Sequence, residues 1–374
     1  MDFGLSDDQR AFQDAFAQCL TDFSSTSTVR RILDGDAAAA RALQSRLNEV
    51  GATGIVVPPE HGGLGLGVLD AAIVFEMLGR YVAPVDLTGS VLTSIALSRS
   101  GSESQKAVWL RKLVEGTASF GTALTHAISD REGGIVSSVA GRLNGRSFMA
   151  ACPPDSTHLL VPDSLGALWI VTRDSPGLRE RQLVTVDRTR GFCTLEMEDV
   201  VAERLAHSGG GELLSELIAI ARVLISADAL GASQRMLEMA VAYAHDRKQF
   251  GVPIGSFQAV KHLCAEMAAE IEPCHALLWF ASHSLDQRLP DAVVSACHAK
   301  ARIADVSQFV ARAATEVHGG IGFTDELGLH WWFKRIAVDR QLGGGPELIR
   351  AEAAWRQGWT DGPRHALALS EGRR

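Results

Sequence analysis

A CxxC pair is missing from this chain of 374 residues, whose six cysteines (Cys19, Cys152, Cys193, Cys264, Cys274 and Cys297) are scattered. That scatter argues against the common zinc sites and against a disulfide framework, and it predicts reduced, buried thiols and no metal. Positive charge is in deficit: 36 Lys and Arg face 44 Asp and Glu, a net charge of −8. Neither nucleic acid nor a membrane surface is expected as a main partner. The opening residues Met1–Arg10 hold no basic segment followed by an apolar one, and no apolar window reaches bilayer length. A cytoplasmic location is therefore expected. Strand–helix alternation is absent too, which excludes a Rossmann sheet, so any nucleotide must be held in another way.

What is present describes an ordinary globular chain, 46% hydrophobic and 21% charged, long enough for two or three domains. Residues 1–120 have a helical period. Ser6-Asp7-Asp8-Gln9 has the form of a capping box, with Phe12, Phe16 and Leu20 recurring on one face behind it. Further helices are predicted near Ala38–Val50 and Val68–Leu78. Between them Pro58–Gly67, PPEHGGLGLG, is too rich in proline and glycine for helix and is predicted to be a shaped loop. Residues 121–205 change texture. The short apolar runs His158–Val161, Leu168–Thr172 and Gln182–Val186, separated by Pro, Gly and Asp, predict a small antiparallel β domain. Residues 206–374 return to helix. Glu212–Ala244 is apolar on nearly every side, as in the middle of a bundle, and a further helix is predicted over Ala292–Val317. The expected fold class is α+β.

Two stretches could carry chemistry. In Tyr243–Gln258, YAHDRKQFGVPIGSFQ, a helix is predicted to end at Gly251 in a left-handed cap, with Pro253 blocking its continuation. That places Arg247 in the last turn beside Phe250. A guanidinium pairs phosphate oxygens bidentately and an aromatic suits an attached flat ring. The plain alternative is an arginine that caps the final carbonyls. In Glu316–Thr324, EVHGGIGFT, Gly319 and Gly320 allow close backbone approach to a ligand, or simply end a helix. His318 alone reads as a hydrogen-bonded structural histidine.

Together these stretches closely resemble the C-terminal domain of the acyl-CoA dehydrogenase family. Pro59-Glu60-His61-Gly62-Gly63-Leu64-Gly65 resembles its N-terminal loop. Glu76–Arg80, Ser104–Leu110 and Glu115-Gly116 resemble its helical landmarks. The resemblance spans nearly the whole chain and implies a helical N-terminal domain, a middle β domain, a C-terminal four-helix bundle, bound FAD and tetrameric assembly. It also implies the chemistry, α,β-desaturation of an acyl-CoA: a glutamate takes the α proton and the flavin takes a hydride. By the same resemblance, Arg247, Phe250, Gln258, Glu316, Gly319 and Gly320 match the residues that contact the diphosphate and adenine of a neighbouring subunit's FAD. Glu316 departs from the usual glutamine.

The rest of the family pattern is eroded. Where a flavin-ring segment is expected, the chain reads Thr125-His126-Ala127-Ile128-Ser129-Asp130, with Thr125, Ser129 and Asp130 the recognisable remnants. The segment Arg146–Pro153 lacks the tryptophan expected to stack on the ring. The two positions that carry the catalytic glutamate in family members are Gly343 and Ala221. Glu347, in the first turn of a helix begun by Pro346, is the nearby acid that could replace it, although the helix dipole favours an acid there regardless. Arg222 is a candidate substrate contact, or else a buried arginine paired with a bundle carboxylate. The reading that follows is a non-catalytic subunit of a heteromeric acyl-CoA dehydrogenase. It resembles the α2β2 bacterial forms, several acting on bulky thioesters such as steroid side chains, in which a second subunit carries the glutamate. The alternatives are a homotetrameric FAD-dependent oxidase or monooxygenase of the same fold, and a structural protein without flavin.

Overall fold

The computed structural model describes residues 4–129 and 134–361. Its N-terminal part is helical: α1 (Asp7–Phe23), α2 (Thr26–Leu33), α3 (Ala37–Glu49), α4 (Val68–Arg80), α5 (Thr88–Ser100) and α6 (Glu103–Val114). At the start of α1 the Ser6 hydroxyl accepts from the Gln9 amide while the Gln9 side chain accepts from the Ser6 amide, closing the predicted capping box. Phe16 and Leu20 carry that helix into the core. The Pro58–Gly67 stretch is a folded loop with one 3-10 turn at Pro59–His61.

The central part is a twisted sheet with one short helix: β1 (Phe120–Thr122), α7 (Thr125–Ile128), β2 (Val136–Val139), β3 (Arg142–Ala151), β4 (His158–Pro162), β5 (Leu168–Thr172), β6 (Leu178–Leu183), β7 (Phe192–Val201) and β8 (Glu203–Arg204). The strand order is β6-β7-β3-β1-β4-β5-β8, with β2 on β3. The sheet is not purely antiparallel, as expected from the sequence, because β1 and β4 run parallel. The third apolar run also sits earlier than predicted. Pairing with β7 ends at Leu183 opposite Phe192, and Val184 beyond it is fully exposed.

Cys152 and Cys193 form a disulfide inside this sheet, which corrects the expectation of reduced thiols at these positions. Cys193 lies on β7 opposite Ala150 of β3, and Cys152 follows the end of β3. Sheet pairing brings the two together across 41 residues of sequence, so no local spacing announces them.

The C-terminal part consists of α8 (Glu212–Asp246), a small hairpin of β9 (Lys248–Gln249) and β10 (Val252–Pro253), then α9 (Gln258–Asp286), α10 (Ala292–His318), α11 (His330–Gln341) and α12 (Pro346–Arg356). Helix α8 is central, packed by α4, α9, α10 and α11. Every residue from Leu217 to Ser233 is buried, as its all-round apolar character predicts. Where α4 crosses α8, a Cβ on Gly79 would fall 1.9 Å from the Asp228 carbonyl, and one on Gly231 would fall 1.8 Å from the Glu76 carbonyl. The two helices therefore touch backbone to backbone.

A buried ionic junction ties the three parts together. Arg335 of α11 grips Asp228 of α8 through two bonds of 2.7 and 2.6 Å, and its Nη1 donates to the Ala83 carbonyl and the Thr189 hydroxyl. Arg190, just before β7, donates to Asp187 at 3.1 Å and to Asp339 of α11 at 2.6 Å. Lys300 of α10 donates to the Asp339 backbone carbonyl. Burial pushes the Asp339 carboxyl up to about 8 and the Lys300 ammonium down to about 7. Among the described residues no helix is long and apolar enough to cross a membrane.

Candidate functional site

The two positions expected to carry a base converge on one side chain. Gly343, two residues beyond α11, has φ +73, a left-handed conformation that glycine adopts freely. Its carbonyl accepts from Arg222 Nε at 2.8 Å, and Ala221 is the residue before that arginine on α8. A Cβ at position 343 would meet Arg222 Cγ at 3.2 Å.

Arg222 is fully buried, and each of its three nitrogens has a partner. Its Nη2 pairs with Glu352 Oε2 of α12 at 2.7 Å, and its Nη1 faces Cys297 Sγ at 3.4 Å. Arg356 holds the other Glu352 oxygen at 2.8 Å. Burial alone would push the Glu352 carboxyl up, but Arg222 and Arg356 hold it below the ordinary carboxylate range. Burial pushes the Cys297 thiol up to about 11, so it stays protonated. The carboxylate joined to these positions through Arg222 is thus neutralised by two guanidinium groups and is poorly suited to take a proton. Of the two readings of Arg222, the geometry matches the buried arginine paired with a carboxylate. Glu352 itself was missed from sequence; its trace there is the Glu352–Arg356 spacing of four on one helix face. Glu347 does stand in the first turn of α12, but it is exposed and its nearest cation is Arg340 at 3.5 Å.

The second feature lies where α8 and α10 end side by side. Helix α8 stops at Asp246, earlier than the predicted end at Gly251, and Arg247 is the extended capping residue rather than part of the last turn. The chain then forms the β9–β10 hairpin. Phe250 and Gly251 fill its two-residue turn with φ of 52 and 82, the left-handed pair that a tight hairpin demands. The glycine signal marked that turn and not a helix cap. Phe250 is 94% exposed at the tip. Arg247, Gln258, Glu316, Gly319 and Gly320 are exposed as well. The Arg247 guanidinium has no hydrogen bond or ion pair among the described residues. The two helix ends are joined by Tyr243, whose ring stacks on His318 at 4.7 Å. His318 Nδ1 bonds the Ala314 carbonyl, and burial pushes its pKa down, so it is a neutral structural group. Gly319 and Gly320 face open space.

The third feature is the eroded segment. Thr125 Oγ1 donates to the Met149 carbonyl at 3.2 Å. His126 is buried with both nitrogens used. Its Nε2 must carry the proton, because the Pro162 carbonyl at 2.8 Å can only accept; Nδ1 then accepts from the Ser147 hydroxyl at 2.9 Å. Burial pushes its pKa down to about 4 against the opposing pull of the Pro162 carbonyl and Asp163. Ser129 N closes onto the Thr125 carbonyl. Asp130 lies outside the described residues.

The model of the acyl-CoA dehydrogenase N-terminal domain matches residues 6–117, and that of the acyl-CoA dehydrogenase C-terminal domain matches residues 208–357. The chain belongs to the acyl-CoA dehydrogenase family. One curated relative is acyl-CoA dehydrogenase IpdE2 of Mycobacterium tuberculosis, 29% identical over 346 residues, which cover 92% of this chain and 96% of the relative. Among solved structures, a variant of the Tcur3481–Tcur3483 steroid acyl-CoA dehydrogenase superposes with a TM-score of 0.85 at 26% identity, covering 94% of this chain and 98% of the other. The ChsE4–ChsE5 complex of Mycobacterium tuberculosis shares the fold, with a TM-score of 0.87 at 24% identity over 97% of this chain and 100% of the other. An oxidoreductase chain of this family has FAD as its cofactor. Against that cofactor the chain is asymmetric. An arginine with no partner among the described residues, an exposed aromatic ring and open glycine backbone are groups of the kind that a diphosphate with its adenosine requires. The hydroxyl hydrogen of Thr125, both nitrogens of His126 and the sulfur of Cys152 are instead taken up by neighbours within the sheet, so none of these side chains is a free donor for a flavin ring.

Proposed function

We propose that this chain is the non-catalytic subunit of a heteromeric acyl-CoA dehydrogenase, in which a second subunit carries the glutamate and this one completes the diphosphate end of that subunit's FAD. The observation that carries the reading is the Arg222–Gly343 contact. Both family base positions lack a carboxylate, and the space beside them is filled by an arginine locked to Glu352. A positioned general base is worth about 10²–10⁴ in rate, so its absence would slow desaturation by this chain alone by about that factor.

In this reading Arg247 pairs the diphosphate, Phe250 and Gln258 lie against the adenosine, and the backbone at Gly319 and Gly320 lies close beside them. Glu316 adds an acid at the same edge. The chemistry FAD supplies in the family is acceptance of the hydride from the substrate β carbon. Support for a partner subunit comes from relatives that are themselves pairs of chains, Tcur3481–Tcur3483 and ChsE4–ChsE5. The first of these is described as acting on a steroid, which makes a bulky CoA thioester the substrate class to try first.

Expression alone and with a neighbouring dehydrogenase subunit tests the assignment. The chain alone is expected to be colourless, and the co-expressed complex yellow with one FAD per two chains. A yellow homotetramer with one FAD per chain contradicts it and favours an oxidase or monooxygenase. In the complex, Arg247→Ala is expected to weaken FAD retention by about 1.5–3 kcal/mol, the loss of a hydrogen bond to a charged group. Unchanged retention would remove Arg247 from the site.

A further inference from the structure

We propose that the groove between α3 and the central sheet binds a flat, largely apolar ligand that offers one uncharged acceptor oxygen to Arg190. This site is independent of the subunit assignment above.

The groove has a volume of about 440 Å³, within the range of small-molecule sites. Ala40, Gln44 and Asn48 of α3 form one wall, and Pro84 and Pro153 contribute rigid apolar rings opposite. Arg190 lines it with a side chain only 5% exposed. Its Nε is used by Asp187 and its Nη2 by Asp339, while Nη1 makes no hydrogen bond among the described residues. A guanidinium carries five N–H donors in a fixed plane, so the free edge of this one is a preset donor held from behind by its hydrogen bonds to Asp187 and Asp339. On α3, Gln44 donates to Asn48 Oδ1 at 3.0 Å, which fixes the two amides along that wall.

Charge balance selects the ligand class. Arg190 is already paired with Asp187, so the remaining charges of the lining are Arg41 against Asp86 and Asp155, and the groove leans negative. Asp86 already caps Thr88 N at 2.9 Å and faces an incoming anion with like charge. A carboxylate would therefore be repelled by the acids that a ketone or hydroxyl oxygen tolerates. The walls reward burial of rigid apolar rings, at roughly 25 cal/mol per Å² removed from water.

Equilibrium dialysis of the full chain with labelled androstenedione, a rigid polycyclic ketone, tests this. Androstane supplies the same carbon skeleton without oxygen, and cholate supplies a related skeleton with a carboxylate. Saturable one-site binding of the ketone is expected, with affinity about tenfold or more above both comparators, the size expected for one hydrogen bond to a charged donor. Ser45→Trp fills the groove from an exposed position on α3, outside the ionic junction, and should abolish binding with little change in Tm. Arg190→Met should weaken binding about tenfold; if that variant fails to fold, Ser45→Trp decides. Absence of saturable binding, equal affinity for androstane, preference for cholate, or retained affinity in Ser45→Trp would each overturn the proposal.

Discussion

Gly343 supplies the backbone conformation that lets its carbonyl meet Arg222, and it leaves no side chain at one of the two positions where the family resemblance leads one to expect an acid. Gly343→Glu should therefore restore the residue type without restoring the site. A non-glycine residue held at φ +73 costs about 1–3 kcal/mol, measurable as a lower urea midpoint. The isolated variant should still show no desaturation of an acyl-CoA; measurable turnover would show that Arg222 can be displaced. Glu352→Gln makes a sharper contrast. It strips the counter-charge from a fully buried arginine, so a loss of about 3–5 kcal/mol is expected. Glu347→Gln, at an exposed position, should change stability by less than about 0.5 kcal/mol. That positions 343 and 221 carry glycine and alanine is read directly from the sequence. Glu352 was not legible in this way, because its partner lies 130 residues away and only packing joins them.

Among elements, the helices were legible where the signal is local. The Ser6–Gln9 capping box and the ends of α4 and α10 follow from residues within one turn. The misread ends share another cause: a glycine or an apolar run serves a neighbouring turn. Gly251 closes a hairpin, and the valines beyond Leu183 are surface residues past the last paired position of β6. The short helix α7 makes a pH prediction. Folded His126 resists protonation until about pH 4, whereas the unfolded chain takes up a proton near the ordinary histidine value of 6.5. Between those values the unfolded state binds more protons. The contribution is fully present above pH 6.5 and is lost as pH falls toward 4, by up to about 3 kcal/mol. Urea midpoints across that range should fall with pH in the native chain. In His126→Gln the slope should flatten, and an unchanged slope would assign it to other groups.

At the scale of the molecule, the Arg335–Asp228 and Arg190–Asp339 pairs bind the helical and sheet regions into one unit. None of these pairings was readable in sequence, since each joins residues separated by more than a hundred positions. The three-part architecture was readable through motif resemblance, and the disulfide between Cys152 and Cys193 was not. Asp228→Asn leaves the Arg335 guanidinium buried without its counter-charge, which should cost about 3–5 kcal/mol. Unfolding followed by tryptophan fluorescence and by far-UV circular dichroism should then separate into two transitions, with a single one expected for the native chain. The protruding β9–β10 ribbon has a cellular consequence. A bare phenylalanine at its tip is the kind of greasy handle that chaperones and proteases seize, so copies made in excess of whatever shields that ring would be cleared. If the proposed partner subunit is what shields it, the abundance of this polypeptide would follow the supply of that subunit.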